Sequence, residues 1–279
     1  MSQKYSTAVA TARDYYNSDD ADTFYHRVWG GEDIHIGLYE SDDEPIFDAS
    51  RRTVAHMGDL LGEPRPDMTV LDMGAGYGGS ARYLASTFGC RVVALNLSEV
   101  ENERNREKTR AHHLDKLVEV VDGSFESVPY PDQSFDIVWS QDAILHSGNR
   151  RQVVREAARL LKPGGVFIFT DPMQTDDCPE GVLEPILARI HLQTLGSPGF
   201  YREACAAEGL EEIGFEAHAD QLPRHYARVL AETEAREQGL KGEISPDYLE
   251  RMKKGLAHWI EGGRNGHLTW GIFRFRKPA

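Results

Sequence analysis

Between residues 68 and 171, short apolar runs alternate with longer stretches in which apolar positions recur every three or four residues. The runs at 68–73, 91–96, 118–121, 135–140 and 165–171 are rich in Val, Ile, Leu and Phe, a pattern that predicts strands covered on both faces. The stretches near 78–88, 99–112 and 150–161 read as helices. Strand and helix in alternation predict an α/β fold, a doubly wound, mostly parallel sheet with helices on either side. Lys162-Pro163-Gly164-Gly165 is expected to stop the third helix in a turn, because proline cannot continue a helix and glycine allows a tight reversal.

Beyond Asp171 the pattern loosens. A turn-rich segment at 176–181 leads into an amphipathic stretch at 182–194, and further helices are expected at 199–208, 223–237 and 245–261. Strands are expected at 211–218 and 268–275, the last one antiparallel, so that a late hairpin-like pair closes the sheet. The reading is one domain over 67–279 with helical cap insertions near 176–198 and 222–262, preceded by an arm or lid over 1–66 whose linker is the proline-bearing 60–67.

Charge narrows the function classes. Forty-five Asp and Glu against 31 Lys and Arg give a formal net charge of -14, which repels phosphate backbones and argues against nucleic acid as a partner. The same excess fits either plain solubility or a salt-rich interior. No apolar run has membrane-spanning length, and residues 1–22 lack the apolar stretch of a secretory signal, so no membrane is expected and the expected compartment is the cytoplasm. Cys90, Cys178 and Cys205 show no CxxC spacing, which predicts free thiols, and no metal is expected. Without heptads, a monomer is the expected state.

The main chemical signal is VLDMGAGYGGS at 70–80, an apolar strand ending in a glycine-rich loop before a helix. Glycines let the backbone turn sharply and approach a ligand, and the helix start presents unpaired N–H groups. A nicotinamide oxidoreductase and a non-catalytic cofactor-binding protein both remain possible on this loop alone. The alternation Gly74, Gly76, Gly78 after Asp72 resembles the first motif of the class I S-adenosylmethionine methyltransferases, and the order of later motifs extends the resemblance. Asn96 ends the second strand where that family usually has Asp or Glu for the ribose hydroxyls, VDGSFE at 121–126 is similar to the adenine-binding motif, and FDIVWS at 135–140 and LLKPGG at 160–165 complete the series. The resemblance implies a Rossmann-like class I methyltransferase fold, S-adenosyl-L-methionine as cofactor, and cofactor contacts from Asp72, Gly74, Ala75, Gly76, Gly78, Asn96, Leu97, Asp122, Gly123, Phe125 and Gln141.

A narrower resemblance rests on WGGEDIHIG at 29–37, WSQDAILHS at 139–147 and TDPMQT at 170–175, and extends to GVLEP at 181–185 and His258-Trp259. These segments look like the sarcosine/dimethylglycine N-methyltransferases. The resemblance implies sarcosine and N,N-dimethylglycine as substrates, glycine betaine as an osmoprotectant product, and an acidic surface suited to salt. Another small amine, a phosphobase or a lipid acceptor is the alternative, although the acidity disfavours an anionic lipid surface. Methyl transfer requires the amine to lose a proton and to line up behind the methyl group. His146, after the fourth strand, is the candidate base or orienting group. Tyr25, Trp29, Trp139 and Met173 are the candidates for contacting the alkylated nitrogen. Arg51, Arg52 and Arg202 are each able to pair with a carboxylate, and the sequence does not choose among them.

Overall fold

The computed structural model describes residues 7–62, 64–190 and 192–279. Its elements run α1 (Thr7–Tyr16), α2 (Asp19–Arg27), α3 (Ile46–Leu60), β1 (Thr69–Met73), α4 (Gly79–Phe88), β2 (Arg91–Asn96), α5 (Glu99–Ala111), β3 (Val118–Asp122) and β4 (Phe135–Gln141). A 3-10 turn (Ile144–His146) follows, then α6 (Arg150–Leu160), β5 (Leu161–Thr170), β6 (Met173–Gln174), α7 (Glu184–Arg189), α8 (Pro198–Ala207), β7 (Glu211–Ala217), α9 (Gln221–Leu240), α10 (Pro246–Arg264), β8 (Leu268–Thr269) and β9 (Gly271–Arg276).

The main sheet has the order β3-β2-β1-β4-β5-β9-β7. The first five strands in that row pair in parallel, and β9 runs antiparallel to both β5 and β7. Alternation along each strand divides its side chains between two cores. Leu71, Val138, Phe167 and Phe273 pack with α6 and α8 on one face, while their neighbours Val70, Ile137, Ile168 and Ile272 pack with α3 and α4 on the other. Full burial of each such side chain is worth about 2 kcal/mol, which is why helices must cover both faces. Strand order reverses between β1 and β4, and the loops leaving their carboxyl ends open the crevice where sheets of this kind hold ligands.

A third apolar cluster roofs that end of the sheet. Phe24, Tyr25 and Trp29 from the arm meet Leu222, Tyr226 and Val229 of α9 and Leu249, Leu256 and Trp259 of α10. The starts of α2 and α10 are tied together, since Asp20 accepts hydrogen bonds from the Ser245 backbone (2.8 Å) and hydroxyl, while Ser245 caps its own helix at Tyr248. Among the described residues no helix is long and apolar enough to cross a membrane.

Three expectations about elements change. The 162–165 segment is drawn into β5 as a bulge: Leu161 pairs with Phe135, the register shifts before Ile137, and Lys277 brackets the glycines through Gly164 N–H to Lys277 O and Lys277 N–H to Gly165 O. The helix expected at 182–194 is only α7, because Arg150 holds the Thr194 carbonyl and Gln174 N–H holds that of Gly196, turning the chain back to the sheet; His191 lies outside the described residues. The strand expected at 268–275 is split at Trp270, whose buried indole nitrogen donates to Asp142, leaving β8 to pair with β6 in a separate two-stranded sheet.

Candidate active site

The loop after β1 carries Gly74, Gly76 and Gly78 at φ of +84°, +51° and +77°, a region that side chains disfavour. A Cβ on Gly74 would lie 2.3 Å from that of Ala143, and one on Gly78 would strike the Asn105 amide at 2.1 Å. Gly74 and Gly76 line a cavity of about 80 Å³, together with Asn96 and Leu97 after β2, Phe125 after β3 and Gln141 at the end of β4. Its polar groups include the Gln141 Nε2, which has no hydrogen-bond partner. Behind the loop, Asp72 is buried and its carboxyl is pushed up to about 7 by that burial.

Part of the expected cofactor wall lies elsewhere. Gly78 caps α4 and Ala75 packs against the apolar core, so neither reaches the cavity. Asp122 is held by Asn102 (2.8 Å) and Arg106 (2.7 Å), half-exposed, and the wall after β3 comes from Ser124 and Phe125 instead of Asp122 and Gly123. Sequence reasoning missed Glu101. Asn96 donates to its carboxylate at 2.8 Å, and Glu101 lines the same cavity, so the acid absent from the strand end is supplied from the first turn of α5. Burial raises its carboxyl to about 7.

His146 sits on the 3-10 turn, and two aspartates fix that turn. Asp171 accepts from Leu145 N–H (2.9 Å) and Tyr201 hydroxyl (2.5 Å), while burial pushes its carboxyl up to about 7. Asp142 has a φ of +49° and is held by donors from three directions: Ile36 N–H at 2.6 Å, Thr170 hydroxyl at 2.8 Å and Trp270 indole N–H at 2.8 Å. From this support the His146 Nε2 reaches the Tyr16 hydroxyl of α1 at 2.8 Å. Burial raises the Tyr16 pKa well above that of an ordinary phenol, so its hydroxyl stays protonated.

On the other side of His146 lies a second cavity of about 670 Å³. Tyr25 and Trp29 line it as expected, their rings 5.2 Å apart. Trp139 and Met173 do not. Trp139 shares its strand face with Ile137, packs fully buried in the sheet core and donates to Gln141 at 3.0 Å, acting as that residue's support. Met173 is turned into the opposite core by the pairing of β6 with β8, and Pro172 lines the cavity in its place. Arg51, Arg52 and Arg202 are engaged by Asp33, Glu44 and Glu212. The arginine that does line the cavity is Arg251, on the exposed side of α10.

Five cavity aromatics were not identified from sequence: Tyr15, Tyr16, Tyr226, Tyr248 and Trp259. Tyr226 stacks on Trp259 with centroids 5.0 Å apart, and the Tyr15 hydroxyl meets that of Tyr248 at 2.9 Å. The Tyr15-Tyr16 pair between the polar stretches at 13–14 and 17–20 was the available signal. The two cavities share Ala12, Tyr16, Ile34, Asp142 and His146, so they meet at the imidazole.

Residues 71–169 match the model of a methyltransferase domain family. The chain is 62% identical over 278 residues to a sarcosine/dimethylglycine N-methyltransferase of Halorhodospira halochloris, covering 99% of this chain and 100% of that one. It is 54% identical to the enzyme of the same name from Aphanothece halophytica, covering 99% of each. A crystal structure of a putative sarcosine dimethylglycine methyltransferase from Galdieria sulphuraria superposes with a TM-score of 0.90 at 44% identity, covering 95% of this chain and 99% of that one.

Proposed function

Since the chain belongs to the sarcosine/dimethylglycine N-methyltransferase family, we propose that it methylates the nitrogen of sarcosine and N,N-dimethylglycine, with S-adenosylmethionine as donor and glycine betaine as end product. The observation that carries this reading is the meeting of a glycine-lined cavity and an aromatic one at His146. A donor pocket and an acceptor pocket must share a wall for methyl transfer, because the reacting atoms have to touch.

The smaller cavity fits the donor by its chemistry. Gly74 and Gly76 leave room that a Cβ would fill, Gln141 Nε2 is an unused donor, and the Asn96–Glu101 pair offers an amide and a carboxyl to ribose hydroxyls. When bound, S-adenosylmethionine supplies an electrophilic methyl group on a sulfonium. The cavity is well below the about 300 Å³ at which drug-sized ligands begin, and Val9, Ala12 and Tyr16 of α1 form part of its wall. Donor binding therefore requires α1 to yield, and we assign the arm the role of a lid that excludes water on closing.

In the larger cavity the tyrosine and tryptophan faces suit an alkylated nitrogen, whose positive charge builds as the bond forms, and Arg251 is the cation available to the substrate carboxylate. His146 accepts the ammonium proton, directly or by way of the Tyr16 hydroxyl, freeing the lone pair for attack. Asp171 and Asp142 keep the turn bearing that imidazole in place. An acidic, highly charged surface supports a cytoplasmic role in osmoprotection.

The test is transfer of labelled methyl groups to glycine, sarcosine and dimethylglycine in parallel, with products separated. Betaine formed from the latter two supports the reading. Turnover of glycine alone, or of a phosphobase in preference, refutes it.

A further inference from the structure

One further polar cluster lies at the carboxyl edge of the sheet, on its β7 side and outside both cavities. His56 stands in the last two turns of α3, Glu216 near the end of β7, and His218 directly after that strand. Neither cavity includes any of the three. Residues 216 and 218 are two apart on extended chain, so they present side chains on one face, and α3 brings His56 to that face from 160 residues upstream.

We propose that His56, Glu216 and His218 form a binding site for a divalent first-row transition ion, with zinc as the best match. Their ligand atoms all lie within 4.8 Å of one another. Glu216 Oε2 is 2.6 Å from His56 Nε2 and 3.5 Å from His218 Nε2. Metal–nitrogen bonds of about 2.1 Å in a tetrahedron place ligand atoms about 3.4 Å apart, so a small opening of the His56–Glu216 contact admits an ion. The His218 Nε2 is buried, and its one printed contact is the loose 3.5 Å pairing with Glu216, short of a good hydrogen bond. Two imidazoles and one carboxylate select zinc or a neighbouring transition ion over magnesium or calcium, which favour all-oxygen shells. The side chains are 36%, 32% and 28% exposed, so solvent can deliver the ion and complete its coordination.

The site's position defines its role. β7 ends the row of strands, with β9 as its strand neighbour among the described residues. An ion there clips that edge to α3, joining the arm to the far side of the sheet without touching the reacting groups. The ion is a stabilising ligand and takes no part in methyl transfer.

Chelator-treated protein titrated with Zn²⁺ by calorimetry is expected to bind one equivalent per chain with a rise in Tm, because a ligand selective for the folded state stabilises it. His56→Ala and His218→Ala should each abolish that equivalent, and Glu216→Gln should weaken it at least about tenfold. A His112→Ala/His113→Ala variant, which removes an exposed pair elsewhere, should bind as the parent does. S-adenosylhomocysteine binding by every variant verifies folding, and Co²⁺ supplies a coordination spectrum independent of stability. Stoichiometry and affinity unchanged in His218→Ala, or full competition by equimolar Mg²⁺, would overturn the site.

Discussion

The two cavities that meet at His146 are made by different means. The smaller is framed by strand ends and by backbone at Gly74 and Gly76, whose conformations exclude side chains. The larger is framed mostly by side chains borne on α1, α2, α9 and α10, which share no backbone ladder and are held by apolar packing and a few side-chain hydrogen bonds. A wall of backbone is rigid and tolerates little substitution, whereas a wall of rings on helices can be reshaped one residue at a time. On the proposed assignment, one half holds the donor and the other selects the acceptor.

The severest test of this division is at the junction. His146→Ala is expected to lower kcat by about 10²–10⁴-fold, the usual worth of a positioned acid–base group, with affinity for S-adenosylhomocysteine within about twofold of the parent. An equal loss in affinity would make the imidazole part of the donor wall. Next, Gly74→Ala introduces a Cβ 2.3 Å from Ala143 at a φ of +84°, and calorimetry should show S-adenosylhomocysteine binding about tenfold to hundredfold weaker. Retention of parental affinity would mean that the backbone wall is softer than its geometry implies. On the acceptor side, Trp259→Leu removes one ring of the stacked pair with Tyr226 and should raise KM for dimethylglycine about threefold to tenfold, sparing donor affinity.

Two smaller effects sharpen the picture. Trp139→Phe should leave KM for the acceptor unchanged while lowering Tm by about 4 °C or more, since the indole serves the core and Gln141; a shift in acceptor KM would return Trp139 to the substrate wall. Burial raises the Glu101 carboxyl from 4.5 to about 7, so the folded chain binds more protons than the unfolded one between those values. The associated stability is present at pH 4 and lost as pH rises through 7. Glu101→Gln, always neutral, should raise the Tm of ligand-free protein by about 6 °C at pH 8 and change it little at pH 4, and a pH-independent difference would contradict this.

Much of the donor half could be read from the chain because its signals are local. A glycine run directly after a strand, or a β-branched run between helices, has few structural solutions. The site was harder where strand geometry decides the matter. Trp139 and Gln141 share one strand face and look equally available in sequence, yet only Gln141 at the strand end reaches the cavity, while the Trp139 indole packs in the sheet core and donates to it. Asn96 read as a missing acid because Glu101 regains it through a helix turn, five residues on. The aromatic cavity was least legible: Tyr15, Tyr226 and Trp259 are joined by tertiary packing alone, and no spacing in one sequence encodes that. The bulge at 162–165 escaped for a similar reason, since Lys277 holds it from the opposite end of the chain.

The insertion of β9 between β5 and β7 bears on how the molecule is made. During synthesis β5 and β7 emerge on the ribosome well before the strand that lies between them, so each waits with an unsatisfied edge until residues 271–276 follow. Maturation of the sheet thus waits on residues 271–276, and a nascent chain stalled short of this strand would expose a sticky flank to chaperones or to aggregation.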